Sequence, residues 1–372
     1  MKGVWLKQEL LGRASWTLVL ITALSACALA ASGCSPGYVM RAAYEQSKIL
    51  IARRDIQSVI EDSESSQEER DKLQVVVDAR LFAISIGLKP GKSFTQYAKL
   101  DKDTLAWVLL AARKDAFSLH TWWFPIVGRV PYKGYFDKED ADAAAKDLEL
   151  QGYESWVRGT DAFSTLGWFN DPVLSTTLRG APARIANTVV HESVHSTVWI
   201  KNNVSFNESL ANFVGSEGAV QFYRRVLESC QSEQQCQGAK ERLETAEADR
   251  DYQYQFGALI DNLYAALSEL YTNSDLSSEQ KMTKRSEVFA ALVDPFRAKS
   301  PRLRALQTIN NAEIMQMKLY LSELMLFKRL YDSVGGSWTA FMEEARRVAE
   351  QIEEDDTQEA FILLKKKLEG GL

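Results

Sequence analysis

The stretch His191-Glu192-Ser193-Val194-His195 decides how this chain is interpreted, because it predicts both a helix and a metal site. Residues four apart lie on one face of a helix, so both imidazoles can reach a single ion. The chain has only 3 histidines, and two of them stand in this stretch. Glu192 directly follows the first histidine and can accept a proton from a water next to the ion. The stretch therefore predicts a zinc site with Glu192 as a general base.

A third ligand follows after twelve intervening residues, where Glu208 stands in Phe206-Asn207-Glu208-Ser209. Two histidines and one carboxylate leave the fourth zinc position open for water, which is the arrangement of a hydrolytic site. Glu217 stands at a usable distance too, but we interpret it as a solvated charge on a helix. His191, His195 and Glu208 are therefore the predicted ligands.

The surroundings of the motif favour a metal over a chance pair of histidines on a polar helix face. Residues 181–200 contain no glycine or proline after Pro182, and their apolar positions form a broad surface. A polar cluster in such a helix is costly without a metal or another partner. Residues 208–214 read as a second helix after a turn at 201–204, which returns Glu208 toward the first helix.

The N-terminus differs from the rest of the chain. Lys2, Lys7 and Arg13 precede an apolar stretch from residue 16 to about 31, which is typical of a secretory signal. Cys27 and Cys34 both follow small residues, as a lipoprotein signal peptidase requires, and we predict Cys34 as the lipidated residue. The alternative is a plain cleaved signal or an uncleaved anchor.

Charge and cysteine content limit the partners. The chain of 372 residues carries a net charge of −6, and an acidic chain without basic clusters is a poor partner for nucleic acid. In an exported protein Cys230 and Cys236 can form a small disulfide loop; two free thiols are the alternative. His120, the third histidine, is predicted to be a structural or cleft residue.

The pattern along the chain predicts an α+β fold. Two helices are expected in residues 38–86, with Ser66 capping the second and Gly87 ending it. Strands are expected near residues 104–111, 122–130 and 155–157, with a helix at 138–151. Residues 205–270, 277–299 and 305–367 are almost wholly helical in pattern. We expect a zincin-like core with a small mixed sheet, the metal-binding helix and a large helical C-terminal half.

The predicted regions are the signal peptide 1–33, the mixed region 34–160, the zinc-binding core 161–225 and the helical region 226–372. Residues 34–372 are expected to act as one catalytic unit. In zincins an edge strand before the metal-binding helix pairs with extended peptide, and such backbone pairing tolerates many sequences. The predicted substrate-binding residues of this strand are Ser164, Thr165, Leu166 and Gly167. An ordinary strand with a turn is the alternative.

Several motifs occur in an order that resembles a family of Gram-negative lipoproteins described as zinc aminopeptidases. The motifs are Ser32-Gly33-Cys34-Ser35, Thr121-Trp122-Trp123-Phe124-Pro125-Ile126-Val127-Gly128, Tyr132-Lys133-Gly134-Tyr135-Phe136, Ser164-Thr165-Leu166-Gly167-Trp168-Phe169-Asn170-Asp171-Pro172, the two metal motifs, Asn310-Asn311-Ala312 and Tyr320. Trp123 and Arg129 depart from the family pattern, where smaller residues such as cysteine are expected.

The resemblance implies a glutamate-zincin peptidase that is anchored by lipid in the cell envelope. Ser35 after Cys34 favours sorting to the outer membrane, facing the periplasm. Tyr320 is a candidate catalytic residue because it lies in a helix that matches the family and carries a phenol. Asn207, beside the third ligand, is predicted to orient the backbone or the substrate.

The residues themselves do not distinguish an aminopeptidase from an endopeptidase. A non-catalytic, lipid-anchored binding or scaffold protein is a further alternative. The expected partners are a peptide or protein substrate and the membrane, with Zn²⁺ as the cofactor. The oligomeric state is left open.

Overall fold

The computed structural model describes residues 44–45, 47–124, 128–160, 171–300, 309–355 and 359–370. It confirms the predicted α+β class, with many helices and small sheets. Among the described residues, no helix combines the length and the apolar character that crossing a bilayer requires. The predicted lipid site Cys34 and the predicted substrate strand Ser164, Thr165, Leu166 and Gly167 lie outside the described residues.

The N-terminal part joins a small mixed sheet to one long helix. Strand β1 pairs antiparallel with β2, and β2 pairs parallel with β8. The elements are β1 (Arg53–Asp55), α1 (Ile56–Ile60), α2 (Gln67–Ser85), β2 (Gln96–Ala98) and β8 (Val173–Leu174). Ser66 caps α2 by accepting a hydrogen bond from the Glu69 N–H, and Gly87 follows with a positive φ of 91°. Both features of α2 were predicted, whereas β1 and α1 were not.

A second, antiparallel sheet has the strand order β6-β3-β7. Its long strands are β3 (Ala106–Arg113) and β7 (Tyr153–Thr160), with β6 (Lys133–Tyr135) at one edge. The predicted strand at 122–130 is a two-stranded pair, β4 (Trp122–Phe124) and β5 (Gly128–Val130). Helix α3 (Lys138–Leu150) agrees with the prediction and covers one face of this sheet.

The predicted metal motif occupies the end of α4 (Pro182–His195), and the predicted third ligand, Glu208, lies in the second turn of α5 (Val204–Ser229). Helix α4 ends at His195, earlier than predicted, and α5 begins four residues before Glu208. Buried residues lie all around α5, which is the character of a helix inside a core. Helix α6 (Glu233–Thr272) packs against α5, and a disulfide joins Cys230 to Cys236 at their connection.

The remaining helices are α7 (Ser278–Lys299), α8 (Asn311–Leu321), α9 (Leu324–Ser333), α10 (Trp338–Glu354) and α11 (Ala360–Leu368). Ser277 and Gln280 form the capping box that starts α7. Gly335 and Gly336, both with positive φ, separate α9 from α10 as the sequence predicts. Helix α8 packs against the β3–β7 sheet and also against α5 and α6. It therefore connects the sheet to the metal-binding helices.

Candidate metal centre

His191, His195 and Glu208 form a cluster that can hold a metal ion. The two Nε2 atoms lie 3.2 Å apart. Glu208 Oε2 is 3.5 Å from His191 Nε2, and Glu208 Oε1 is 3.6 Å from His195 Nε2. In a tetrahedral zinc site with bonds of about 2.1 Å, ligand atoms are about 3.4 Å apart. The three distances therefore fit one face of such a tetrahedron without movement of either helix.

The two histidines converge because they are one helical turn apart in α4. Their ring planes are nearly perpendicular, with centroids 4.9 Å apart and an interplanar angle of 84°. Perpendicular rings let the two Nε2 atoms approach the same point while the ring faces avoid each other. His195 is buried and Trp199 packs edge-on against it at 5.5 Å.

Glu208 reaches this point because α4 and α5 approach very closely. At Gly215, an added Cβ would lie 2.7 Å from Asn187 Oδ1 and 3.1 Å from the Cβ of His191. Only glycine permits this separation, since both contacts are shorter than ordinary van der Waals contacts. The approach of the two helices sets the distance between the histidines and the carboxylate.

Mutual electrostatics stabilise the cluster. Burial acts to lower the pKa of His191, but the nearby Glu208 and Glu192 carboxylates outweigh it and raise that pKa. Burial likewise acts to raise the pKa of Glu208, but the two imidazoles outweigh it and lower the pKa to about 2. A carboxylate that stays ionised is the form that binds a metal. A cation in the cluster would interact with the same carboxylate that raises the pKa of His191.

Glu192 lies on the same helix between the two histidines. Its Oε2 atom is buried and has no hydrogen-bond partner among the described residues. A buried carboxylate oxygen without a partner costs free energy. A water beside the metal would supply the missing partner, so the position of Glu192 fits the predicted general base. His195 Nδ1 is also buried without a partner, whereas metal-bound histidines usually donate their second N–H.

Tyr320 lies in α8 close to the cluster, because Asn212 Nδ2 donates to both the Tyr320 carbonyl at 3.0 Å and the Glu208 carbonyl at 3.1 Å. Burial raises the pKa of Tyr320 to about 12, and the Glu208 and Glu192 carboxylates act in the same direction. The phenol therefore keeps its proton at neutral pH and can act as a hydrogen-bond donor. The structure brings this predicted residue to the site.

Asn207 has a different place. It is 1% exposed; its Nδ2 donates to the Ile200 carbonyl at 2.7 Å and its Oδ1 accepts from the Ile200 N–H at 2.9 Å. Both ends of the amide are used within the connection between α4 and α5. Of the two predicted roles, the structure therefore supports the one in which Asn207 orients the backbone. Both polar atoms of its buried amide are already hydrogen-bonded to Ile200.

The two residues considered as alternatives lie elsewhere. Glu217 accepts a hydrogen bond from the Tyr254 hydroxyl at 2.7 Å and lies 3.5 Å from Arg250. It is therefore a buried, paired carboxylate and not the solvated charge that we expected. His120 packs edge-on against Trp122 and Tyr153 on the α3 side of the sheet, which is a structural role.

Arg158 at the end of β7 was not predicted as a site residue. Its charge acts on the Tyr320 phenol and lowers the pKa of that group, opposing the carboxylates. The sequence contained a weak signal, because Trp156 and Arg158 alternate along a predicted strand and therefore share a face. Only the packing of α8 on that face brings Arg158 toward the metal cluster.

Comparison with known proteins gives one match. A family model described as "Putative aminopeptidase" matches residues 37–360. This range includes the three candidate metal ligands, Glu192 and Tyr320. No curated protein and no solved structure matches the chain.

Proposed function

The chain belongs to the family described as "Putative aminopeptidase", and we propose that it is a zinc-dependent peptidase of the zincin type. This proposal rests on one observation. The distances between the candidate ligand atoms of His191, His195 and Glu208 are those expected between ligands of a tetrahedral zinc. Three donors of this kind leave a position for water, which a hydrolase needs and a purely structural zinc site lacks.

Zinc in this position would lower the pKa of a bound water toward about 7 and polarise a carbonyl group. Glu192, through its unpartnered Oε2, accepts the proton from the attacking water and later passes it to the leaving amine. Tyr320 donates a hydrogen bond from its protonated phenol to the oxygen of the former carbonyl. Asn207 holds the connection that fixes Glu208 relative to α4.

The preference for the N-terminal residue of a peptide comes from the family and not from this site. We propose an aminopeptidase on that basis, and internal cleavage of peptides would make the protein an endopeptidase instead. A zinc-loaded protein that cleaves nothing would favour the alternative of a binding or scaffold protein.

We place the protein in the bacterial cell envelope, anchored by lipid on Cys34 at the outer membrane and facing the periplasm. The signal-like N-terminus and Ser35 support this location. The disulfide between Cys230 and Cys236 supports export as well, since such bonds persist in oxidising compartments.

The experiment that tests the function uses the purified full-length chain and a diverse peptide mixture read by mass spectrometry, with and without a zinc chelator. Loss of single N-terminal residues that the chelator abolishes supports the aminopeptidase. Cleavage that continues in the chelator, with zinc removed, contradicts the zinc mechanism.

Glu192→Gln tests the base. We expect kcat to fall by about 10²–10⁴, the usual range for a general base, because the amide cannot accept the proton. Zinc content per molecule should stay unchanged, since Glu192 is not a ligand, and this is measured by metal analysis of the same sample. Activity near that of the wild type would show that another group is the base.

A further inference from the structure

Arg158 occupies the face of the β3–β7 sheet that packs against α8. It follows Trp156 by two residues in β7, so the two side chains share that face. Trp156 packs against a buried cluster that includes Leu110 and Ala312, and the Arg158 guanidinium carbon lies 5.8 Å from its ring centroid. The Arg158 side chain is therefore held against Trp156 on this face of the sheet.

Among the residues that the structure describes, no carboxylate forms an ion pair with the Arg158 guanidinium, and its buried Nε has no hydrogen-bond partner. Arg285, which also approaches β7, pairs with Glu154 at 2.8 Å. An unpaired buried donor of a charged group is costly, so a ligand that supplies oxygen atoms would be favoured here.

Arg158 approaches the candidate metal centre through α8. Helix α8 packs on the sheet face that carries Trp156 and, two residues further along β7, Arg158. Toward the end of α8, Asn212 Nδ2 donates to the Tyr320 carbonyl at 3.0 Å and to the Glu208 carbonyl at 3.1 Å. The charges of Arg158 and Glu208 both act on the Tyr320 phenol. A peptide held at a metal in this cluster could therefore extend past Tyr320 to the guanidinium.

We propose that Arg158 binds a carboxylate of the peptide substrate, at a position beyond the bond that is cleaved. This inference rests on the proposed peptidase function. The planar guanidinium offers two parallel N–H donors that match a carboxylate, which a lysine could not reproduce. The carboxylate belongs either to the C-terminus of a short peptide or to an acidic side chain.

The test measures peptide binding to zinc-loaded full-length Glu192→Gln protein by calorimetry, so that cleavage does not interfere. One pair of probes is trialanine as the free acid and as the C-terminal amide. A second pair is an amidated tripeptide with glutamate or with glutamine in the middle. We expect the carboxylate form of at least one pair to bind 10- to 100-fold more tightly than its neutral form. The first pair reports a terminal carboxylate and the second an acidic side chain.

Arg158→Gln in the same background should reduce the preference to less than threefold and leave the affinity of the neutral peptides unchanged. Arg158→Lys should retain part of the preference, because lysine keeps the positive charge but lacks the two parallel N–H donors of the guanidinium. Arg329→Gln is the matched control, since Arg329 is an exposed arginine on α9. This variant should retain the full preference for the carboxylate peptide. Thermal melting of each variant confirms that it is folded.

The proposal for Arg158 is overturned if the charged and neutral peptides bind with equal affinity. It is overturned as well if neither peptide binds. A preference that persists in Arg158→Gln also overturns it. These outcomes are independent of the peptidase test, in which chelator-sensitive cleavage by the wild type is scored. A protein that cleaves peptides without any carboxylate preference keeps the proposed function and loses only this inference.

Discussion

Glu313 is a buried carboxylic acid in the first turn of α8. It is 3% exposed, and no hydrogen bond or ion pair holds its side chain within the described residues. Burial raises the pKa of Glu313 to about 7. At pH 5–6 the folded chain therefore keeps a proton on this residue that the unfolded chain has released.

We expect this single residue to make stability depend on pH. Where the folded state binds more protons than the unfolded state, the free energy of unfolding falls as pH rises. Glu313 should therefore lower the free energy of unfolding as the pH rises from about 4.5 to 7. Above pH 7 its contribution should stay constant. Glu313→Gln removes this dependence and stabilises the protein at pH 8 by up to roughly 3 kcal/mol.

Urea denaturation at pH 5 and pH 8 checks this prediction for wild type and Glu313→Gln. Glu350→Gln, a change at an exposed helix position, should leave the difference between the two pH values as it is in the wild type. An equal difference in Glu313→Gln would show that folding does not raise the pKa of Glu313.

The site residues differ in how far the sequence predicts them. The pairing of His191 with His195 could be predicted, because a helix of 3.6 residues per turn places them on one face. Glu208 was predicted from its place after a turn, but its distance from the histidines depends on how closely α4 and α5 pack. Arg158 and Glu313 could not be predicted, because their significance comes from the absence of a partner. Whether a charged side chain finds a partner depends on packing between elements distant in sequence, here β7, α8 and the metal-binding helices.

At the scale of elements, the contact between α4 and α5 sets the distances within the candidate metal cluster. An alanine at Gly215 would press on the Asn187 carbonyl oxygen and on the Cβ of His191, both at 3.1 Å. The helices must then separate by a few tenths of an ångström. Overpacking of this kind costs about 1–3 kcal/mol, partly offset by the higher helix propensity of alanine, about 1 kcal/mol.

We expect Gly215→Ala to weaken zinc binding about 10-fold, the lower end of the range for residues that position metal ligands. Competition with a fluorescent chelator measures this affinity. Gly238→Ala is the matched control, because Gly238 in α6 has open space around its Cβ position and should leave zinc affinity unchanged. Unaltered affinity in Gly215→Ala would mean that the ligands adapt to a wider helix separation.

Most helices and strands could be predicted from the sequence. The residues at which they begin and end, and the elements they pack against, were harder to predict. Capping by Ser66 and Ser277 is local chemistry, and the starts of α2 and α7 followed from it. The start of α5 at Val204 has no side-chain cap, and the predicted helical stretch from residue 205 came within one residue of it. The position of α8 between the sheet and the metal helices depends on contacts such as Asn310 Nδ2 to the Ser155 carbonyl at 2.8 Å, which no local pattern contains.

At the scale of the whole molecule, a metal would tie α4 to α5 and so raise the melting temperature. Ligand binding at 100 times its Kd stabilises the folded state by about 2.7 kcal/mol, which corresponds to a few degrees in a protein of this size. We expect this rise when zinc is added to the chelator-treated protein in differential scanning calorimetry. The same zinc addition should leave the melting temperature of the His191→Ala, His195→Ala double variant unchanged, and an equal rise would place the bound metal elsewhere.

Helix α5 carries the candidate ligand Glu208 near its start and much of the hydrophobic core along the rest of its length. The two helices of the candidate metal centre are therefore poorly suited to transplantation. A graft of α4 and α5 onto another scaffold would expose the large apolar surfaces of Phe206, Phe213 and Phe222. Laboratory evolution of new substrate preference should accordingly accumulate changes on β7 and α8, which carry Arg158 and Tyr320, and spare α5.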